Sequence, residues 1–294
     1  MEVQVGAGEA GFNENLTSPK TVSQLSSNEL IVEDEGYFEI TISDTQTGDN
    51  WLSITNGDLQ ATSVLIRESF MDWESEKSGT WYIERVDTRG EPSPAPNPKL
   101  VHEQYKRASD YLLGSTKGWV KFVDGLRTKI KVNTLTPPKE TKEGLPGQWN
   151  SAGYFPIHPD KAIILTIPRS PAKYQSIQIG DLWFNALDYC HRQTSLNMSQ
   201  ATASQDDYAK FVISIRDPGV ANWLDPAGAS TAFAFVRWQG LPEGYQFSSN
   251  PTVELVEFED LGNKLADEPC FDPEQRKEQL AARQRASLSS ARGY

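Results

Sequence analysis

Cysteine is scarce in this 294-residue chain: Cys190 and Cys270 are its two examples. Two cannot build a disulfide scaffold, and they fit either one bridge or two free thiols. Histidine is nearly as rare. His102, His158 and His191 stand apart, without the paired spacing of a zinc site. Cys190 and His191 are adjacent, so an extended backbone would send them to opposite faces. Asp206 with Asp207, or Asp217 with Asp225, has the oxygen chemistry for calcium. Surface turns use the same residues without an ion, and that reading is adopted: no metal and no cofactor is expected. The longest aliphatic run is Ala162-Ile163-Ile164-Leu165, against about 20 apolar residues for a spanning helix. No leader of charged, apolar and small residues opens the chain, so a cytoplasmic protein is expected. Basic residues are outnumbered, 28 Lys and Arg to 40 Asp and Glu, a net charge of −12. That balance argues against nucleic acid and anionic membranes as partners. Gly-x-Ser-x-Gly, Gly-x-x-x-x-Gly-Lys-Ser/Thr and Gly-x-Gly-x-x-Gly are missing, which removes the hydrolase elbow, the P-loop and the dinucleotide fingerprint.

What is present reads mainly as β. Eight Trp and 10% aromatic residues suit a packed globular protein. Short β-branched and aromatic runs at 37–43, 63–70, 80–86, 162–167, 174–179, 211–215, 231–239 and 253–258 are separated by Gly, Pro, Asn and Asp. Phe38, Ile40 and Ile42 alternate and should share a buried face. Residues 1–29 read as a loose arm or as the remnant of a longer N-terminal region, 30–262 as a single β domain, and 263–294 as a helical tail. The proline-rich EPSPAPNP, from Glu91 to Pro98, leads into a helical insertion at about 98–131. Val101, Tyr105, Ala108 and Leu112 recur at helical spacing, as do Trp119, Phe122, Val123, Leu126 and Ile130. Gly114 and Ser115 between the stripes predict a break, hence an inserted αα-hairpin. The tail favours a helix, but its apolar stripe is thin. A surface helix, or one that docks on a second copy, follows.

Two stretches share a plan. YFEITIS, a polar loop, Asn50-Trp51-Leu52 and SVLIRESF form the first. FVISI, a Pro/Gly-rich loop, Asn222-Trp223-Leu224 and STAFAFVRWQ form the second. Each sets an arginine in its last strand, Arg67 and Arg237. The repeat is too widely spaced for a solenoid. It predicts two related corners in an antiparallel β-sandwich or jelly roll. In each corner a Trp would bury its ring and donate its N–H. The Asn before it would hold the turn through local backbone.

Ser195-Leu196-Asn197, Arg216-Asp217-Pro218-Gly219, Asn222-Trp223-Leu224-Asp225 and Phe235-Val236-Arg237-Trp238 resemble a bacterial family catalogued as domain of unknown function 1214. Asn50-Trp51-Leu52 and the stretch from Arg67 to Trp73 resemble its upstream segment. The resemblance covers about Leu30 to Gly240. It implies a jelly-roll-like β fold with a helical insertion, and members with additional N-terminal sequence. It supplies no activity, since fold alone does not give function.

An arginine buried in an apolar strand needs a carboxylate or a ligand anion. Asp217, Asp225 and Asp72 are the natural partners of Arg67 and Arg237. One reading is two arginine–aspartate ties that pin the corners. The other is an enzyme of unassigned reaction on a small, partly apolar, oxygenated or anionic molecule. Its catalytic groups would be Asp217, His191 and Arg237. Trp223, Asn222, Asn197, Trp183, Trp51 and Arg67 would bind the ligand. Two alternatives belong to other classes: a jelly-roll module that binds carbohydrate without chemistry, and an interaction protein that self-associates through its C-terminal helix.

Overall fold

The computed structural model describes residues 1–9, 11, 19–141, 145, 147–204 and 207–290, with side chains to 288. Asp206 of the weighed calcium cluster lies outside the described residues. Strands dominate: β1 (Glu2–Ala7), β2 (Lys20–Ser26), β3 (Thr41–Ser43), β4 (Trp51–Ser53), β5 (Thr55–Asn56) and β6 (Leu59–Arg67) precede helix α1 (Pro98–Lys129). After it come β7 (Lys139–Glu140), β8 (Gln148–Pro156), β9 (Lys161–Pro168), β10 (Tyr174–Gly180), β11 (Ser195–Asn197), β12 (Tyr208–Ile213), β13 (Trp223–Leu224), β14 (Thr231–Gln239) and β15 (Thr252–Glu257). Helices α2 (Leu261–Lys264) and α3 (Pro273–Ser290) follow.

The sandwich is built from two sheets, β11-β10-β14-β8-β7 and β13-β12-β9-β15. Strand β14 shows why they pack. Ala232, Ala234, Val236 and Trp238 alternate into the core, opposite Ile163, Leu165, Ile167, Phe211 and Ile213 of the facing sheet. The intervening Phe235, Arg237 and Gln239 point to the other face. Strand β9 has no such alternation, because both its faces are covered: Ala162 and Ile164 pack under Val220, Val256, Leu261 and Leu265. The short aliphatic run is thus a strand buried on two sides.

Residues 1–29 do not form a loose arm. β1 is the second strand of a sheet ordered β2-β1-β6-β5. Val3, Val5, Val22 and Leu25 centre an apolar cluster with Leu52, Ile40, Ile42 and Trp81. Phe38 joins it edge-on to Trp81, at 5.4 Å. Every member of this cluster precedes residue 82, whereas the sandwich core begins after residue 134. The two corners therefore sit in separate apolar clusters rather than one shared core.

The inserted αα-hairpin is instead one helix of 32 residues. Asn97 caps it, its Oδ1 accepting from the Lys99 N–H at 3.0 Å, and Pro98 takes the first position. Gly114 and Ser115 do not break it. A glycine inside a helix costs only about 1 kcal/mol. Ser115 and Thr116 both satisfy their hydroxyls on the Leu112 carbonyl within the helix. The first half is largely exposed, Tyr105 at 73% and Leu112 at 67%, and it touches the N-terminal segment where Arg107 pairs with Glu9. The second half docks through Trp119 and Phe122, which meet Phe184, and Phe184 in turn meets Phe235. Gly125 has open space where a Cβ would stand. Gly125→Ala is expected to raise stability by about 0.5–1 kcal/mol in urea melts. A fall would mean that the helix is strained there.

Candidate functional site

The two corners are not hairpins. In each, the Asn-Trp-Leu strand runs parallel to the strand before it: Thr41 pairs with Trp51, and Val212 with Trp223. The bonds match one for one. The Thr41 N–H donates to the Asn50 carbonyl at 2.9 Å, and the Val212 N–H to the Asn222 carbonyl at 3.0 Å. The Trp51 indole donates to Ser43 Oγ, and the Trp223 indole to the Ser214 carbonyl, each at 2.9 Å. Each Asn makes a two-way clasp with backbone far behind it, not with its own turn. Asn50 exchanges bonds with Ile31 at 2.8 and 2.7 Å. Asn222 exchanges them with Thr202 at 2.8 and 2.6 Å and also donates to the Lys210 carbonyl. Trp51 is half-buried and Trp223 buried. Neither offers the flat exposed ring that sugar stacking needs.

The proposed catalytic residues do not meet. Asp217 pairs with Arg276 of α3, at 2.9 Å, and its Oδ1 accepts from the Gly219 N–H. His191 has a side chain 70% exposed and rests on Asp188 at 3.1 Å. The His191 backbone N–H, and then its ring, hold the Asp188 carboxyl below the usual carboxylate range. Arg237 leaves the outer face of β14 and donates to Gln178 Oε1 at 3.2 Å. Asp225 pairs with Arg192 at 2.7 Å. The expected ties from Arg67 and Arg237 to aspartates are therefore absent among the described residues. Trp183 is 63% exposed. Its N–H and that of Asn185 both donate to Asp181 Oδ1. Asn197 is buried and clasps the crossing segment, donating to the Phe70 and Met71 carbonyls at 3.1 and 2.8 Å.

That clasp makes one wall of a groove of about 440 Å³. Met71, Trp73 and Glu74 form one side; Gln193, Leu196 and Ser199 form the floor. Helix α3 closes it with Gln279, Ala282, Arg283 and Ala286. Two of these groups carry chemistry that the protein itself leaves unused. Arg283 is 6% exposed. It donates through Nε to the Tyr189 carbonyl and through Nη2 to Ser195 Oγ at 2.7 Å, with Trp73 stacked 4.7 Å from the guanidinium. Its Nη1 has no partner among the described residues, and no carboxylate reaches it. Burial pushes its pKa down to about 10. Gln193 is 1% exposed. Its amide must face the Ala221 and Trp223 carbonyls, which accept from Nε2 at 2.9 and 2.5 Å. Two carbonyl partners fix the orientation of the side chain. The opposite atom, Oε1, is buried without a partner.

Sequence reasoning missed Arg276 and Arg283. The signal was present: they lie seven residues apart, two helical turns, on one face of α3. The thin apolar stripe drew attention away from a face that docks through arginines. Cys190 is half-buried and Cys270 exposed, and both are free thiols. Among the described residues, no three His, Cys, Asp or Glu side chains gather as a metal site would require. None of the described helices is long and apolar enough to cross a membrane.

No protein-family model matches the chain, and no curated protein matches it. Among solved structures it is similar to an uncharacterized protein from Burkholderia cenocepacia, 24% identical with a TM-score of 0.75. The match covers 88% of this chain and 70% of that one. The VPA0106 protein from Vibrio parahaemolyticus matches at 11% identity over 87% of this chain and 85% of its own, with a TM-score of 0.35. What the first of these shares with the present chain is the fold.

Proposed function

We propose that this chain binds a small, partly apolar molecule carrying a carboxylate and a hydroxyl or N–H donor, in the groove under α3. The observation behind it is Arg283: a desolvated guanidinium with a free Nη1, facing a cavity and held by no carboxylate. A buried cation left in that state is costly unless an anion meets it. The floor beside it holds Gln193, whose buried Oε1 lacks a partner and can accept from the ligand's donor once the side chain shifts toward the groove. Met71, Trp73, Leu196 and Ala286 give the apolar lining usual in small-molecule sites.

Binding is favoured over catalysis. The described titratable groups lining the groove are Asp72, Glu74 and Arg283. Asp72 is stabilised as a carboxylate by the Ser75 hydroxyl and two backbone N–H groups, which lower its pKa and weaken it as a base. The corner that borders the groove, with Ser195, Asn197, Asn222 and Trp223, carries the resemblance to domain of unknown function 1214. We propose membership of that family on the same residues, and the matched corners as an internal repeat.

The test is tryptophan fluorescence, since Trp73 lines the wall. Mandelate, an aromatic hydroxy acid, is expected to give a saturable change, and neutral mandelamide a weaker one. Arg283→Met should weaken mandelate at least about tenfold, with Arg283→Lys between, as expected for a lost charged hydrogen bond. Affinity should stay level from about pH 6 to about pH 9. Arg283 is protonated below about 10, so its positive charge is complete across that window and fails only as pH rises through it. No saturable response, or one that Arg283→Met leaves unchanged, refutes the groove.

A further inference from the structure

A pair of cations is also unaccounted for, away from the groove lining. Arg67 ends β6 of the N-terminal sheet, and Arg237 stands on the outer face of the sandwich. The chain between the halves brings them together. Two residues beyond each, Ser69 Oγ donates to Gln239 Oε1 at 3.3 Å, and the next residues are clasped by Asn197. Desolvation lowers the pKa of both arginines; at Arg237 the neighbouring Tyr174 opposes that shift, and the charge of Arg67 adds to it. Among the described residues no carboxylate lies in salt-bridge range of either. Among the same residues the Arg67 side chain makes no hydrogen bond, and that of Arg237 makes one, to neutral Gln178.

This is a departure for a chain with 40 acidic residues against 28 basic ones. Elsewhere the same fold pairs Arg192, Arg216 and Arg276 with Asp225, Glu259 and Asp217. Glu2 is the cross-strand partner of Arg67 and could have neutralised it. Its carboxylate instead accepts from Gln24 Nε2 at 2.9 Å. The residues opposite Arg237 on the neighbouring strands are Asn150 and Ser176, both neutral. Cross-strand partners share a face, so these neutral groups flank the guanidinium without cancelling its charge, and the Phe235 ring lies 5.8 Å from it. Two like charges held near each other under partial burial repel, and among the described residues no carboxylate pairs with either.

We propose that Arg67 and Arg237 together hold a phosphate group, gripping it across the seam between the N-terminal sheet and the sandwich. A phosphate dianion matches the two positive charges, and each guanidinium fork matches a pair of its oxygens. Bound there, it would tie together two halves that have separate apolar clusters. The inference does not depend on the groove under α3, since neither arginine lines it.

The experiment measures thermal midpoint and titration calorimetry with inorganic phosphate and with phenyl phosphate. Sodium chloride at matched ionic strength is the control. The intact protein should bind with a Kd of about 1 mM or tighter, and its midpoint should rise with phosphate but not with chloride. Arg67→Gln should cut that affinity at least about tenfold while leaving the phosphate-free midpoint level or higher, because it removes repulsion. Arg67→Lys should keep part of the binding, having the charge but not the fork. If Arg237→Gln fails to fold, the Arg67 pair of variants carries the test alone. Tighter binding of phenyl phosphate assigns a phosphate ester as the occupant; equal or weaker binding assigns free phosphate. Equal midpoint shifts in phosphate and chloride, phosphate binding unaltered by Arg67→Gln, or a lowered phosphate-free midpoint in that variant would overturn the site.

Discussion

Asn222→Ala is expected to lower stability by about 3 kcal/mol, and Asn50→Ala by about 1 kcal/mol, although the two asparagines make nearly the same bonds. The difference lies in burial. Asn222 is 4% exposed, and its amide meets the Thr202 N–H and carbonyl and the Lys210 carbonyl. Truncation strands three backbone groups in a place where water is largely excluded, each costing about 1–3 kcal/mol at full burial. Thr202 is half-buried, so some of this is recovered. Asn50 makes two bonds, both to Ile31, and Ile31 is 54% exposed. Water replaces that clasp at little cost. Urea melts of the two variants measure the gap. Equal losses would mean that the corners are fixed by their buried indoles, with the asparagine clasps incidental.

The matching corners were legible because their residues recur in order: a strand, Asn-Trp-Leu, a strand arginine. Their geometry was not. A parallel return and a clasp across 19 or 20 residues leave no periodic trace. β14 was readable from strict alternation, with Ala232, Ala234, Val236 and Trp238 inward and Phe235, Arg237 and Gln239 outward. β1 was hidden because EVQVGA is short and its partners lie in β2 and in β6, more than 50 residues on. The helical insertion was visible, but its continuity was not, since Gly114 and Ser115 carry the local signals of a break while Thr116 and Ser115 bond inward. Asp217 was correctly picked as an arginine's partner and given the wrong arginine. The sequence favours strand-borne Arg237 as the costly buried charge. The structure puts the Asp217 partner on a helix whose burial no apolar stripe announced.

That helix supplies the other large effect. Arg276→Met is expected to cost about 3 kcal/mol and to free α3 from the body. Arg276 is 6% exposed. It donates to both oxygens of Asp217, to the Val220 and Ala221 carbonyls and to Gln279 Oε1, with its guanidinium 5.1 Å from the Trp223 ring and 4.7 Å from Phe271. Methionine keeps the stem's packing and leaves the carboxylate and both carbonyls unmet. The Asp217 side chain is 35% exposed, so water repays part, and the estimate sits at the low end of a broken buried pair. Arg276→Lys should cost less, keeping the charge but not the fork that serves a carboxylate and two carbonyls at once. An 18-residue helix with little apolar face has scant stability away from its packing. Hydrogen exchange over 273–290 should therefore quicken well beyond the global loss, and mandelate binding should weaken with it, because α3 closes the groove. A double-mutant cycle separates the ion pair from the packing: Asp217→Asn with Arg276→Met should couple by about 1–3 kcal/mol, and Asp217→Asn with Arg237→Met by less than about 0.5 kcal/mol. Unchanged exchange in α3 would show the helix anchored by Arg283 and its neighbours instead, and would move the joint between helix and corner from Asp217 to Ser195.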